Sequence, residues 1–327
     1  MSAWISVIIP ARNAGATLEA CLGSIREASA KTGPVELLVV DNGSTDATAA
    51  IAKRLGATVL SVPGLRVSAV RNRAAQTAQA PLLAFVDADH RVGPAWFEAV
   101  RYAFADTSIV AAGAEYLAPA DATWVQRTYD SLRLHRPGRH DVTWLPSGNL
   151  AIRADVFQRI GGFDESLETC EDVDLCRRLV VTGRLVADEA LASVHYGDPR
   201  TLRAVYAGEK WRGRDNLRVT LRPPMNLRSA LSALQPLVTV AVLVAAAFLI
   251  LVDWRHTLQY VMAAGALAVL GSLPRALQMF VRDRRRSPLA LVRCLVVAIV
   301  FDLGRAAAIV ARATHATRAT VAEARSS

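Results

Sequence analysis

Lysine is almost missing from this 327-residue chain: three lysines stand beside 35 arginines, a skew that reads as coding bias and implies no mechanism. Cysteine is scarce too, and Cys21, Cys170, Cys176 and Cys294 form no Cys-x-x-Cys pair. That spacing excludes zinc ribbons and thioredoxin-like motifs and fits reduced, small apolar side chains in a cytoplasmic setting. Acidic residues run short only near the end. Residues 200–327 hold 6 acidic against 19 basic side chains, a net of +13, whereas residues 1–199 hold 23 against 19, a net of −4. Aromatics make up 6% and do not interleave with the arginines, so the overall charge of +9 implies no nucleic acid. The arginines flank long apolar runs instead and point to membrane headgroups. No G-x-G-x-x-G follows the first strand and no G-x-x-x-x-G-K-[ST] occurs, which disfavours a dinucleotide dehydrogenase or a P-loop enzyme. No signal peptide is expected, because Ile5–Pro10 already reads as a core strand with no basic stretch before it.

What is present first is a strand–helix alternation. Strands are predicted at 5–9, 36–40, 57–62 and 81–86, and helices at 17–30, 46–55, 67–78 and 94–104, the second capped from Ser44, Thr45 or Asp46. This order implies an α/β fold with a mostly parallel sheet. Beyond residue 108 the pattern is mixed: strands at 109–116 and 144–152, the latter broken by Ser147-Gly148-Asn149, and helices at 123–136, 154–160 and 171–182. The last of these helices has an acidic first turn that suits its dipole.

The final third changes character. Thr201–Leu221 is basic and amphipathic. Leu231–Val252 is 22 residues without a charge, roughly 33 Å of helix, enough to cross a bilayer core of about 30 Å. A second candidate runs over about 258–280, most securely over Leu258–Leu273 before Pro274-Arg275. A third covers 289–310 and contains Arg293, Asp302 and Arg305, with Asp302 and Arg305 placed to pair at i, i+3. That segment either spans or lies along the interface. Arginines lie between 200 and 228, and Arg282, Arg284, Arg285 and Arg286 follow the second run. By the positive-inside rule they put the N-terminal domain in the cytoplasm. The expected organisation is a domain over 1–222 and a membrane region over 223–327.

The most informative stretch is Leu82-Leu83-Ala84-Phe85-Val86-Asp87-Ala88-Asp89, a buried-type strand ending in two acids. Ligands of parallel sheets sit beyond the carboxyl ends of the strands, and carboxylates there suit Mg²⁺ or Mn²⁺ shared with phosphates. Taken alone, such a pair is more often a solvated turn. Two more polar clusters, Pro10-Ala11-Arg12-Asn13 and Asp41-Asn42-Gly43-Ser44-Thr45-Asp46, end neighbouring strands and would share that edge. Asp41 and Asp46 also read as turn and cap residues.

Ser6 to Asn13, Val40 to Asp46, Asp87-Ala88-Asp89 and Glu171-Asp172-Val173-Asp174-Leu175-Cys176-Arg177-Arg178, in that order and spacing, resemble the inverting family 2 glycosyltransferases of GT-A fold, over about residues 4–222. The resemblance implies a Rossmann-like, mostly parallel sheet flanked by helices and followed by C-terminal membrane helices. It implies a nucleotide-sugar donor, a UDP-sugar ahead of a GDP-sugar, held by Pro10, Ala11, Arg12, Asn13, Asp41, Arg71, Asp87, Ala88 and Asp89. Arg71 reads equally as a helix-surface arginine. Mn²⁺ or Mg²⁺ would sit on Asp89 and Asp87, with His195 as a third ligand or a structural histidine. Asp172 matches the catalytic base, and Glu171, Gly148 and Asn149 lie on the acceptor side. Like-charge proximity of Glu171 would raise the Asp172 pKa. Trp211, Arg212 and Arg214 would meet the diphosphate or a lipid phosphate, or form a juxtamembrane basic helix. Processive synthases carry Gln-x-x-Arg-Trp, whereas Glu209-Lys210-Trp211-Arg212 stands here, which favours transfer of a single sugar. Asn42 replaces an aspartate frequent in the family.

The expected function is transfer of one sugar to a lipid-linked or membrane-proximal glycan hydroxyl at the cytoplasmic membrane. The alternatives are a polyprenyl-phosphate glycosyltransferase and, from another class, a silent membrane scaffold or nucleotide-sugar-binding protein. The sugar itself is not motif-coded.

Overall fold

The computed structural model describes residues 2–223, 227–283 and 285–326, without the side chains of 227–232 and 313–326. Arg284 and the Arg228 side chain, both counted in the charge argument above, lie outside the described residues. The chain forms two compact units, residues 1–120 with 133–197 and residues 121–132 with 198–327.

In chain order the elements are β1 (Ile5–Ala11), α1 (Leu18–Ser29), β2 (Val35–Asp41), α2 (Thr48–Arg54), β3 (Thr58–Ser61), α3 (Val67–Thr77), β4 (Leu82–Val86), β5 (His90–Val92), α4 (Trp96–Phe104), β6 (Ile109–Gly113), α5 (Trp124–Asp130), β7 (Arg139–Val142), β8 (Asn149–Arg153), α6 (Ala154–Arg159), α7 (Glu171–Leu179), β9 (Arg184–Asp188) and β10 (Ser193–His195), then α8 (Leu202–Arg212), α9 (Asn216–Thr220), α10 (Leu227–Val252), α11 (Thr257–Arg282) and α12 (Pro288–Ser326).

The first unit is built on an eight-stranded sheet of order β3-β2-β1-β4-β8-β6-β9-β7, with β5 and β10 paired as a small second sheet. Strands β1 to β4 are mutually parallel where they pair, β8 runs antiparallel to both β4 and β6, and β6 pairs β9 in parallel. This is the mostly parallel, helix-flanked α/β sheet expected for a GT-A domain, followed by C-terminal apolar helices. Side chains alternate between two cores because both faces are covered. Leu82, Ala84 and Val86 join Leu18, Leu22 and Trp96 on one face, while Leu83 and Phe85 join Val70, Phe157 and Leu175 on the other. Phe85 packs between Phe157 and Phe163 at 5.3 and 5.2 Å. Full burial of such a side chain is worth about 1.5–3 kcal/mol.

The helix expected over 123–136 stops at Asp130. The chain then turns through Gly138, at φ +67°, into β7, a strand the periodicity did not show. Strands β5, β9 and β10 were also unforeseen. The strand expected at 144–152 begins only at Asn149.

In the second unit Val125 and Tyr129 of α5, Val205 of α8, Ala276 and Met279 of α11, and Cys294, Val297 and Phe301 of α12 form one apolar core. Three helices there, 233–252, 254–282 and 288–312, are long and apolar enough to cross a membrane. Helix α11 continues through Pro274 and Arg275 because Arg275 finds a partner on α12, donating from Nε to Asp302 Oδ1 at 3.0 Å. Ser272 donates to the other Asp302 oxygen at 2.8 Å. The expected Asp302–Arg305 pair along α12 is therefore replaced by contacts between helices, and Arg305 pairs with Glu209 of α8 at 2.6 Å. Glu209 is fully buried and also accepts from Tyr129 at 2.6 Å and Arg212 at 3.2 Å.

Candidate active site

The ends of β1, β2 and β4 meet at one edge, as the parallel register requires. Asn13 adopts φ +51°, a left-handed conformation that asparagine tolerates better than most residues. Its Oδ1 accepts from the Thr45 N–H at 2.9 Å, and its own N–H donates to Ser44 Oγ at 2.9 Å. Asp46 accepts from the Gly15 N–H at 2.9 Å and the Thr48 N–H at 3.0 Å. The Thr48 hydroxyl and these N–H groups hold its carboxyl below the usual range. Asp46 is thus a tie between two loops, and the N-cap position of α2 falls on Ala47, with no side-chain cap, rather than on Ser44, Thr45 or Asp46. Asn42 clasps the next loop from both sides, donating to Leu65 O at 2.7 Å and accepting from Leu65 N–H at 3.2 Å. Asp41 is buried, and its Oδ1 accepts from the Ser44 N–H at 3.2 Å. Pro10 and Ala11 close β1, and Arg12 stands exposed just beyond.

Arg71 is 2% exposed, which excludes a surface arginine. Its Nη2 donates to Asp87 Oδ1 at 2.7 Å and its Nη1 to Glu171 Oε1 at 2.8 Å. Helix α3 holds the segment before α7 at several further points: Asn72 exchanges hydrogen bonds with Phe163 and donates to Glu165, and Arg66 donates to Ser166 O at 3.0 Å. Glu171 also accepts from Ser147 Oγ at 3.2 Å. Asp172 takes hydrogen bonds from the backbone N–H groups of Val173 and Ser147. Burial, reinforced by the charge of Glu171, pushes the Asp172 carboxyl up to about 7. The residue before this acidic turn, Cys170, sits at φ +61°, an uncommon backbone conformation of the kind that gathers at functional sites. Asp174, by contrast, pairs with Arg178 on its own helix at 2.7 Å.

Asp87 and Asp89 diverge. Asp87 faces Arg71 and Gly148, where any Cβ would overlap the Asp87 carboxylate and approach Tyr116 Oη at 3.0 Å. The Tyr116 phenol is held protonated, mainly by burial and then by Asp87 and Asp172. Asn149 is fully buried. It accepts from Trp96 Nε1 at 2.9 Å and donates to Ala114 O and Leu191 O at 3.2 and 2.7 Å, so its amide fixes β8 from inside. Ala88 is buried between the two acids.

Asp89 turns toward two histidines. Donor atoms of Asp89, His90 and His195 lie within 4.8 Å of one another. His195 Nε2 stands 3.3 Å and His90 Nε2 3.9 Å from the Asp89 carboxylate. Burial alone would raise the Asp89 pKa, but the His195 hydrogen bond and the charges of both histidines hold it low. His90 Nδ1 bonds Ser193 Oγ at 2.8 Å, while the buried Nε2 has no hydrogen-bond partner. Desolvation pushes the His90 pKa down to about 4. A neutral imidazole that donates from Nδ1 leaves a lone pair on Nε2, the arrangement usual for a metal-ligating histidine. Gly197 completes the cradle, since a Cβ there would overlap Asp89 Oδ2 and approach His195 Nε2 at 2.8 Å. The residues therefore fit a divalent cation with mixed nitrogen and oxygen ligands. A solvent-open depression lined by Ala16, Thr17, Ala20, Arg91 and Tyr196 borders Asp89 and His90.

His90, Tyr116 and Gly197 were not foreseen. His90 directly follows Asp89, and its alternation with Arg91 and Val92 is the one sequence signal of β5, too short to read. Trp211, Arg212 and Arg214 belong to the second unit. Arg212 is bonded to Tyr129 Oη and Glu209 at 3.2 Å each, and Trp211 and Arg214 are exposed. The buried Cys176 thiol is pushed up to about 12, which leaves it inert.

Residues 6–161 match the model of glycosyl transferase family 2. Validoxylamine A glucosyltransferase of Streptomyces hygroscopicus is 29% identical over 222 residues, covering 55% of this chain and 52% of that one. Pre-mycofactocin glycosyltransferase of Mycobacterium tuberculosis is 24% identical over 67% of this chain and 48% of its own length. The chain thus spans about half the length of these curated relatives. A Pyrobaculum calidifontis mannosyltransferase in complex with GDP-Man and Mn²⁺ aligns at TM-score 0.49 and 19% identity, over 80% of this chain and 86% of that one.

Two outcomes are expected. Arg71→Leu leaves Glu171 and Asp87 without their cation. It should cost about 3 kcal/mol, at the low end for a broken buried pair because the Asp87 side chain is 34% exposed; thermal unfolding of purified protein reads this, with Arg71→Lys falling between. Gly197→Ala should weaken Mn²⁺ binding by about tenfold or more, as losses around metal ligands do, read by the free-Mn²⁺ electron paramagnetic resonance signal. Unchanged binding would detach Asp89 and His195 from any metal.

Proposed function

We propose that this chain, whose residues 6–161 match the model of glycosyl transferase family 2, is a membrane-anchored, metal-dependent, inverting glycosyltransferase. It moves one sugar from a nucleoside-diphosphate sugar to a hydroxyl of a lipid-linked or membrane-proximal acceptor. The observation that carries this reading is a division of labour between two places in the first unit. A cation-type donor set lies at Asp89, His90 and His195, and a separate carboxyl, Asp172, titrates near neutral pH.

Each part has a task. Asp41 binds the nucleoside: Oδ1 is spent on Ser44, and Oδ2 has no partner among the described residues. Pro10, Ala11, Arg12 and Asn13 frame that subsite. A Mn²⁺ or Mg²⁺ ion bound by Asp89, His90 and His195 would neutralise charge gathering on the leaving diphosphate. Asp172 takes the proton of the acceptor hydroxyl as its oxygen bonds to the anomeric carbon and the bond to the diphosphate breaks. A base working at neutral pH serves best with a pKa near 7, and burial beside Glu171 supplies that. Arg71 touches neither reacting atom; it fixes Asp87 and Glu171 and so aims the turn that carries Asp172. Gly148 leaves space above Asp87 on the acceptor side, with Asn149 anchoring the segment beneath it.

The relatives named as glucosyl- and glycosyltransferases support glycosyl transfer; the donor, a UDP-sugar ahead of a GDP-sugar, is carried over from the sequence resemblance. Helices α10 and α11 anchor the chain, and the arginines beside them favour a catalytic domain on the cytoplasmic side. Trp211 and Arg214, both exposed, are assigned in this reading to a diphosphate or lipid phosphate, as residues of the basic segment before the apolar helices.

A donor screen on detergent-extracted protein, reading nucleoside diphosphate release, tests the reading. Release should require Mn²⁺ or Mg²⁺ and stop with EDTA; release without metal would defeat the role of Asp89. Asp172→Asn should lower turnover by about 10²- to 10⁴-fold. Near-normal transfer by that variant would indicate an acceptor already ionised, a polyprenyl phosphate. Binding of donor without product would mark a sensor or scaffold. Because Asp172 acts deprotonated, kcat/KM should rise as pH rises through about 7. Glu171→Gln, which removes a like charge, should move that limb to lower pH.

A further inference from the structure

We propose that α12, the third apolar helix, does not cross the membrane. It lies along the face from which it starts, with one apolar stripe on the acyl boundary of the bilayer and its opposite face carrying α5 and α8. This rests on α10 and α11 spanning the bilayer, as proposed above.

By length and composition the three helices are equivalent candidates, yet 44% of the apolar stretch of α12 is buried in protein against 11% for each of the others. The covering helices are polar. Near its start, Arg293 lies over the Trp124 ring of α5 at 5.6 Å. In its middle, Gly304 meets α8 so closely that a Cβ would stand 2.8 Å from Tyr206 O and 2.9 Å from Glu209 Cβ. Beyond that, Arg305 pairs with Glu209 at 2.6 Å and Arg312 with Asp215 at 2.7 Å. Helices α5 and α8 are themselves joined, through Tyr129 Oη to Glu209 at 2.6 Å and Gln126 Nε2 to Asp198 O at 3.1 Å.

The contacts from Arg293 to Arg312 run along roughly 28 Å of helix, nearly the thickness of a bilayer core. If α12 crossed, α5 and α8 would be carried through the core beside it. Their exposed charges, Arg127, Arg203 and Lys210, would then face hydrocarbon. Laid in the plane, α12 keeps α5 and α8 on one side, and the buried Asp302–Arg275–Ser272 knot joins it to the half of α11 nearer that side. The outward face of α12 suits that position. Leu289, Val292 and Val310 are 57%, 56% and 47% exposed, and Val296, Ile299 and Leu303 between them are only partly buried. Their spacing of three, four, three, four and seven residues makes a single uncharged stripe, the pattern of a helix resting in an interface.

Of the described helices, α10 and α11 then span, and the far end of α12 lies on the side of α8. Single cysteines introduced in the full chain, Arg203→Cys on α8, Arg255→Cys between α10 and α11 and Ser327→Cys at the end, can be probed with a membrane-impermeant maleimide. Right-side-out and inverted vesicles are compared, with the unsubstituted chain as background. R203C and S327C should label in the same orientation and lose labelling in the other, with R255C reversed. S327C labelling together with R255C would overturn the proposal while leaving two outer spans intact. R255C labelling together with R203C would overturn the membrane anchor itself, and this inference with it.

Discussion

One buried guanidinium serves two carboxylates from distant parts of the chain. Arg71, on α3, binds Asp87 at the end of β4 and Glu171 at the start of α7. Three acids crowd this place, and a single cation cannot neutralise all of them. The fork geometry of arginine decides which are served, because its two terminal nitrogens each meet one carboxylate. Asp172 is left with backbone donors, burial and the adjacent charge of Glu171. Its raised pKa thus follows from where Arg71 points. Environments that push neighbouring carboxyls apart are how one site holds groups of different role.

Absent side chains shape the site as strongly as present ones. Gly148 and Gly197 stand where a methyl group would collide with the Asp87 and Asp89 carboxylates respectively. The two acids of one short motif thereby gain different surroundings, a guanidinium and a phenol for one, two imidazoles for the other. Spacing along a strand end does not give two such residues one role. The turn after β4 sends them apart, and Gly148 and Gly197, more than a hundred residues apart from the nearest of the motif's strands in one case, leave the room.

Strands β1, β2 and β4 were legible because sheets covered on both faces need unbroken apolar runs, and Ile5–Ile9 and Leu82–Val86 are such runs. Their polar ends were legible for the same reason, because Arg12-Asn13, Asp41-Asn42 and Asp87 break those runs abruptly. Strands β5 and β10 were not, because three residues carry too little alternation to separate a strand from a turn. His90 was lost with β5. Arg71 was noticed as a basic residue near a nucleotide, but its burial was not, since both of its partners are brought by tertiary folding. The helix foreseen over 123–136 was too long because its periodicity says nothing about the turn at Gly138 that begins β7.

The charges within the apolar helices carry a related lesson. A pair at i, i+3 on one helix is worth only a few tenths of a kcal/mol and leaves both groups where they were. Asp302 instead binds Arg275 and Ser272 of α11, and Arg305 binds Glu209 of α8, so each contact joins two helices and buries its charges together. Such pairs stand only where both partners are satisfied, because a lone buried charge costs several kcal/mol. A charge inside an apolar run therefore marks the face that meets another helix. In α12 the apolar stripe from Leu289 to Val310 stays free of charge, while Asp302 and Arg305 look the other way.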